Sequence, residues 1–209
     1  MTRLRQITID ALVHQRREER DRQPKIEAPA ASLTDASVYA NRQDMIRTLG
    51  KQGRIAELGV DDGDFTDFLL DALNPDEFVL IDMWESRRYR SKEEFVAKRF
   101  NNDPRIVVDK GLSTDRLATH ADQSFDFIYI DTNHSYDTTI EELRLARRKT
   151  KPGGTIAGHD FCTGNIVNGV VYGVITAVTQ SLAEGGVSLT GLSIEPHGHF
   201  SFMLKTDEN

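Results

Sequence analysis

The chain has a single cysteine, Cys162, in 209 residues. A disulfide framework within one chain is therefore excluded. No apolar run approaches the ~20 residues that span a bilayer. The opening Met1-Thr2-Arg3-Leu4-Arg5 carries charge where an export signal needs an apolar core. Positive charge is not in excess either. With 33 acidic against 26 basic side chains the net charge is −7, the wrong sign for gripping a nucleic-acid backbone. Internal repeats and low-complexity tracts are missing. These absences lead us to expect a cytoplasmic globular protein whose partner is neither nucleic acid nor membrane. At 38% hydrophobic and 28% charged residues, the length suits one α/β domain with an extension.

The extension is residues 1–37 and the domain residues 38–209. Arg16-Arg17-Glu18-Glu19-Arg20-Asp21-Arg22 is a mixed charge run, and Pro24 and Pro29 break any helix after it. Leu4, Ile7, Ala11 and Leu12 fall on one face of a short helix. The segment reads equally as a solvated extension and as an arm that covers a site or packs on a partner subunit in a homo-oligomer. Thr34-Asp35 predicts the cap of a helix running to Leu49.

From Arg54 onward the pattern alternates. Apolar runs predict strands at 54–58, 78–81, 105–108, 125–130 and 155–157, and the tail predicts two more at 188–194 and 199–205. Between them lie helical spacings: Phe65, Phe68, Leu69 and Leu73; Phe95 and Phe100 behind a Ser91/Glu94 capping box; Tyr136, Ile140 and Leu143; Val170, Val174, Val178 and Leu182. Lys151-Pro152-Gly153-Gly154 stops the third. The sum is a Rossmann-like, doubly wound α/β fold. It has seven strands in a mostly parallel sheet, helices on both faces and the last strand antiparallel.

In such sheets ligands bind beyond the carboxyl ends of the strands. Here those ends carry Gly59 to Gly63, Asp82, Gly111 to Ser113, Asp131 to His134, and His159-Asp160. The first of these, Glu57-Leu58-Gly59-Val60-Asp61-Asp62-Gly63-Asp64, looks like a strand, a glycine turn and the start of a helix. Aspartates occupy two of the three positions where a dinucleotide turn has glycine, and no Gly-Lys-Ser/Thr follows for a P-loop. Three aspartates repel a pyrophosphate. They suit S-adenosylmethionine, which brings an ammonium, a sulfonium and no phosphate. Gly59 lets the backbone turn closely around a ligand, and Gly63 opens a helix whose amides favour a carboxylate. Asp82 stands 23 residues beyond Gly59, near the offset at which an acid takes ribose hydroxyls. Glu57, Gly59, Asp61, Gly63, Asp82 with its neighbour Met83, Gly111, Ser113 and Asp131 are the candidate donor-binding residues.

On these residues the chain resembles the class I S-adenosylmethionine-dependent methyltransferases over about residues 38–205. Glu57 to Gly63 is similar to that family's first motif, Asp82 to its ribose-binding acid, and Lys151 to Gly154 to the turn before its fifth strand. Ile130-Asp131-Thr132-Asn133-His134-Ser135-Tyr136, Gly158-His159-Asp160-Phe161 and Gly173 to Val178 resemble one branch, which includes macrolide-sugar O-methyltransferases. That resemblance implies a small-molecule or glycan acceptor. It also implies a divalent metal, usually magnesium, on Asp131 and Asp160. His159 stands where several members have another acid.

Methyl transfer to a hydroxyl needs a positioned oxygen and a group to take its proton. Asp131, His134, His159 and Asp160 supply carboxylates and imidazoles at adjoining strand ends. Asp131 and Asp160 suit magnesium, and adding His159 as a third ligand suits manganese or iron. His134 is the leading general base, with Asp131 beside it. The competing structural reading makes His134-Ser135 a helix cap. Cys162 reads as an ordinary thiol, and His197 and His199 carry no role. Trp84 reads equally as a ring against the ligand and as a packing residue, and Arg87-Arg88-Tyr89-Arg90 as a lure for an acidic acceptor or a solvated loop. The alternatives to an O-methyltransferase are a metal-dependent hydroxylase resembling the cephalosporin hydroxylases and a non-catalytic donor-binding protein. An NAD dehydrogenase is disfavoured by the acidic turn.

Overall fold

The computed structural model describes residues 3–85, 89–165 and 169–208, with side chains from residue 10 onward. Arg87 and Arg88 of the basic run, and the side chains of Leu4 and Ile7, lie outside the described residues. Helix α1 (Arg3–Arg22) leads into a 3-10 turn (Ala30–Leu33), strand β1 (Ser37–Tyr39) and helix α2 (Arg42–Arg47). The alternation follows: β2 (Arg54–Leu58), α3 (Asp64–Leu73), β3 (Glu77–Asp82), α4 (Arg90–Arg99), β4 (Ile106–Lys110), α5 (Ser113–Thr119), β5 (Phe125–Ile130), α6 (Tyr136–Lys149), β6 (Thr150–Gly158) and α7 (Val174–Glu184). Strands β7 (Val187–Ser193) and β8 (Phe202–Thr206) close the chain.

One sheet runs β1-β7-β8-β6-β5-β2-β3-β4. Only β8 is antiparallel, inserted between β6 and β7. The sheet therefore has eight strands, not the expected seven. The extra one is β1, which pairs Ser37–Tyr39 with Gly191–Ser193. The expected helix from Thr34 gives way to this strand, and the helix starts later, where the Asn41 side chain accepts from the Asp44 amide. A Ser91/Glu94 capping box does not form either. Helix α4 starts at Arg90 with no side-chain cap, and Glu94 pairs with Lys98 instead. Helix α7 begins at Val174 rather than near Val170, which is 48% exposed.

Strand alternation sorts the core into two layers. Ala56, Leu58, Val79, Ile81, Ile128 and Ile130 face Leu117, Leu143, Ala177 and Val178 of α5, α6 and α7. Ile55, Phe78, Leu80, Phe127 and Tyr129 face Met45, Leu69, Leu73 and Val96 of α2, α3 and α4. Each fully buried aliphatic or aromatic side chain contributes roughly 1.5–3 kcal/mol, so the central strands anchor everything attached to their ends. Trp84 belongs to the second layer at 1% exposure, a packing residue rather than a ring open to ligand.

The winding reverses beside β2: the chain steps outward to β3 and β4, then returns to place β5 on the other side. A crevice opens at such a reversal. Among the described residues no helix is long and apolar enough to cross a membrane. Helix α1 is exposed from residue 10 to its end. Just beyond it, Gln23 donates to the Tyr172 carbonyl (3.1 Å) and accepts from Thr176 Oγ1 (2.7 Å), tying the extension to the segment before α7.

Candidate active site at the carboxyl edge of the sheet

The glycine turn starts where β2 ends. Gly59 has φ +85, and a Cβ there would fall 1.9 Å from the Asp131 carbonyl oxygen. The Asp131 amide in turn donates to the Leu58 carbonyl (2.8 Å), locking the ends of β2 and β5 together. Gly59→Ala combines a left-handed backbone with a clash against main chain. We expect it to cost more than about 3 kcal/mol, read as a lowered thermal midpoint or loss of soluble protein.

Asp82 braces the turn. Its Oδ2 accepts the amides of Val60 (2.8 Å) and Asp61 (3.0 Å), and its Oδ1 accepts that of Trp84 (2.9 Å). Trp84 Nε1 donates to the Asp61 carbonyl (2.9 Å), completing the brace. Because Asp82 pairs in register with Lys110, the residues that follow each strand emerge side by side. These include Met83 (41% exposed) and Leu112 (43% exposed), two apolar side chains flanking the half-buried acid. A carboxylate beside exposed apolar side chains fits the ribose and purine expected of S-adenosylmethionine.

The acidic turn is not bare. Lys92 forms an ion pair with Asp61 and lies 3.5 Å from Asp62; Arg99 pairs with Asp64 and Asp67 and donates to the Asp62 carbonyl. Lys92 and Arg99 stand seven residues apart on one face of α4. Repulsion of phosphate by three free aspartates therefore overstates the charge, since helix α4 supplies countercharge. Gly63 caps α3 at φ +82 and packs on Phe100. Gly111, at φ +156, donates its amide to the Asp82 carbonyl (3.0 Å).

Two acids lie behind this surface. Glu57 shares its face of β2 with Ile55, so its side chain enters the core beneath α3, where it accepts from Thr66 Oγ1 (2.6 Å) at 1% exposure. The structure brings it to the turn but not to the open edge. Burial pushes its carboxyl up to about 8, against the pull of the Thr66 hydroxyl. Glu142 of α6, absent from the sequence reading, is fully buried and accepts from Ser113 and from Thr132 Oγ1 (2.9 Å). It ties the loop after β4 to the loop after β5, and burial raises it to about 7. Both acids bind protons more tightly folded than unfolded, so stability falls as pH rises from about 4 towards 8. Glu57→Gln keeps an acceptor for Thr66 and removes one titration. Glu57 alone accounts for a loss of up to about 4 kcal/mol across that range, so we expect the variant to lose distinctly less than the wild type, measured by urea unfolding at pH 5 and 8.5.

The other half of the edge gathers around β5 and β6. Asp131, His134 and Asp160 hold their donor atoms within 4.8 Å of one another. His134 Nε2 lies 2.9 Å from Asp160 Oδ2 and 3.9 Å from Asp131 Oδ1. His134 and Asp160 both take left-handed backbones, φ 62 and 56. The strained turns aim both side chains at the same point. The Ser135 side chain caps α6 by accepting from the Thr138 amide, which leaves His134 free of capping. The ring of His134 packs 4.7 Å from that of Tyr172.

Protonation in this group is uneven. Burial raises Asp131 to about 6, with the Asp160 carboxylate adding to the rise and His134 and Arg42 opposing it. Burial also opposes ionisation of Asp160, but hydrogen bonds and charge from His134, with His199 adding its own, outweigh it and hold the acid at about 2. Burial lowers His134, and its bond to Asp160 more than reverses this, so its pKa is raised. His159 is not in the cluster: its Nδ1 meets Ser201 Oγ at 2.9 Å, and burial, with Arg42 nearby, lowers it to about 4. The expected third ligand is thus turned to β8, and His134 takes its place beside the two acids.

Two residues complete the group: Arg42, outside the sequence reading, and His199, to which that reading gave no role. Arg42, at the start of α2, donates to the Tyr129 hydroxyl (3.0 Å), lies 3.6 Å from Asp131 Oδ2 and covers the Phe65 ring at 4.2 Å. His199, just before β8, bonds Asp160 through Nδ1. Cys162 is half-buried with its thiol pushed up by that burial, as an ordinary thiol would be.

A family model described as a methyltransferase domain matches residues 56–161, just over half of the chain. No curated protein sequence matches it. Solved structures share the fold. The N-methyltransferase NodS from Bradyrhizobium japonicum superposes with TM-score 0.62 at 15% identity, over 80% of this chain and 95% of its own. An rRNA methylase from Streptococcus thermophilus gives 0.59 at 13%, over 80% and 95%. An O-methyltransferase family protein from Burkholderia thailandensis gives 0.60 at 13%, over 80% and 55%. These neighbours differ in the acceptor their names give, while the sheet and its carboxyl edge persist. The chain belongs to the methyltransferase domain family and has the fold of the class I enzymes that take their methyl group from S-adenosylmethionine.

Proposed function

We propose that this protein methylates a hydroxyl oxygen of a small molecule or sugar, as in the macrolide-sugar branch that its strand-end motifs resemble. The observation that carries this reading is the dyad of His134 and Asp160 at the carboxyl edge of the sheet, 2.9 Å apart. S-adenosylmethionine supplies an activated methyl on a sulfonium. The protein's own task is to hold an acceptor oxygen in line with that methyl and to take its proton. With Nε2–H donated to Asp160, His134 presents Nδ1 as the basic nitrogen, and the carboxylate stabilises the imidazolium that forms. Arg42 and Asp131 border the same space, the guanidinium supplying hydrogen-bond donors and the carboxylate acceptors for a polar substrate.

A divalent ion fits Asp131, Asp160 and His134 by donor type and convergence, and it would lower the pKa of an acceptor hydroxyl. The imidazole in this set favours manganese, iron or zinc over magnesium. Held by an ion, His134 is a ligand; without one, it is a base. Turnover that survives EDTA selects the second role.

The test is incubation with S-adenosylmethionine and a panel of catechols and deoxysugar glycosides, following S-adenosylhomocysteine and the mass of the product. Donor binding by calorimetry with methylation of hydroxyl acceptors supports the reading. Methylation confined to amines, or no donor binding at high micromolar concentration, overturns it.

A further inference from the structure

Around Asp160 lies a second group of donors, two of which, Cys162 and His199, the methyl-transfer reading leaves unused. Cys162 Sγ, His199 Nδ1 and an Asp160 carboxylate oxygen lie within 4.8 Å of one another. Cys162 is the only cysteine in the chain. Its sulfur stands 3.9 Å from His199 Nδ1, and the same nitrogen bonds Asp160 Oδ1. Three chemically different donors therefore converge on one point. They come from two loops that the backbone already fastens together. The Phe161 amide donates across to the Phe200 carbonyl (2.8 Å), and within the first loop the Cys162 amide donates back to the Asp160 carbonyl (2.6 Å).

We propose that Cys162, His199 and Asp160 bind a zinc ion, separate from any ion in the Asp131/His134/Asp160 cluster. Zinc takes thiolate, imidazole and carboxylate together, with bond lengths of about 2.0–2.3 Å. On a tetrahedral ion such donors stand roughly 3.3–3.6 Å apart, within a few tenths of an ångström of the Sγ–Nδ1 spacing. The carboxylate, now bonded directly to that imidazole, must withdraw by about 1 Å to admit the ion. Magnesium, which prefers a full set of oxygens, is a poor match for this set. Binding converts the thiol to thiolate and releases its proton to solvent, and His199 enters as the neutral ring with its proton on Nε2. Asp160 then bridges two functions: Oδ1 on zinc, Oδ2 still facing His134. Zinc here clips the loop after β6 to the end of the loop before β8 and fixes Asp160, which orients His134. A fourth position is left for water.

The experiment uses the whole protein, stripped with a chelator and titrated with zinc by calorimetry in two buffers of different protonation enthalpy. Wild type, Cys162→Ser, His199→Asn and Asp131→Asn are compared, each checked for native circular dichroism. A zinc-binding event that releases about one proton at pH 7.5 and is at least tenfold weaker in both the Cys162 and His199 variants supports the site. Near wild-type affinity in Asp131→Asn supports its separateness. Unchanged affinity in Cys162→Ser overturns the proposal, and so does zinc binding lost in Asp131→Asn but kept in Cys162→Ser. If a loop variant fails to fold, zinc-dependent protection of Cys162 from alkylation in the wild type decides: protection supports the site, and equal alkylation with and without zinc overturns it.

Discussion

Asp82→Ala is expected to lower affinity for S-adenosylmethionine by at least thirtyfold and to destabilise the protein by about 2–3 kcal/mol. Both effects have one source. The carboxylate accepts three backbone amides, those of Val60, Asp61 and Trp84. Alanine strands all three at a half-buried position, where each lost bond to a charged acceptor is worth about 1.5–3 kcal/mol before water and relaxation recover part of it. If Asp82 takes the ribose hydroxyls, as its strand-end position leads us to expect, the donor loses that partner and also the turn the carboxylate braces. Asp82→Asn separates the two. Its carbonyl oxygen still accepts from Val60 and Asp61, while its NH2 opposes the Trp84 amide, so donor affinity falls by less than in the alanine variant. Calorimetry with the donor and urea unfolding, run on both variants, give the two numbers. Unchanged donor affinity in Asp82→Ala means that the ribose is held elsewhere.

The central frame was legible in the sequence because its strands are apolar runs and its helices carry a clear period. Ile55 to Leu58, Phe78 to Ile81 and Phe125 to Ile130 are buried on both faces, and no other element type suits them. The carboxyl edge followed, since topology alone places Gly59, Asp82, Asp131 and Asp160 at neighbouring strand ends. What escaped is what depends on pairing between distant segments. Strand β1 is three residues long and mostly exposed, and only its partner β7, some 150 residues later, makes it a strand. Arg42 and His199 come from near opposite ends of the chain. They reach Asp131 and Asp160 because β8 inserts beside β6 and because α2 lies over Phe65 and Tyr129. No local spacing announces either. His159 was misplaced for a simpler reason. Both residues lie just past the end of β6, where Asp160 turns into a left-handed backbone, so the neighbours diverge, one to Ser201 and the other to His134. A signal for Lys92 and Arg99 did exist. Two cations seven residues apart on a helix that follows an acidic turn are placed to neutralise it.

His134→Asn is expected to reduce kcat by about 10²–10⁴ while leaving donor affinity within a few-fold of wild type. Asparagine tolerates the left-handed backbone at this position better than most residues, so the loop after β5 keeps its course. Its amide can still donate to Asp160. What it cannot do is take a proton. A residue that merely positioned the loop would be replaced by asparagine with modest loss, whereas a base would not. The pH profile adds an independent reading. Asp160 and Asp131 hold the His134 pKa above its usual value, so wild-type activity falls as pH drops through the neutral range, where the imidazole becomes charged and can no longer accept. The residual activity of His134→Asn lacks that fall. The same linkage predicts the opposite trend for the stability of the dyad. The raised histidine contributes fully below about pH 6.5, and its contribution fades as pH rises through its folded value. Activity gained with rising pH while the dyad's contribution to stability is lost is the behaviour of a group kept for chemistry. Parallel loss of both in His134→Asn, with the acid-side fall in rate intact, would assign His134 to structure and move the base elsewhere.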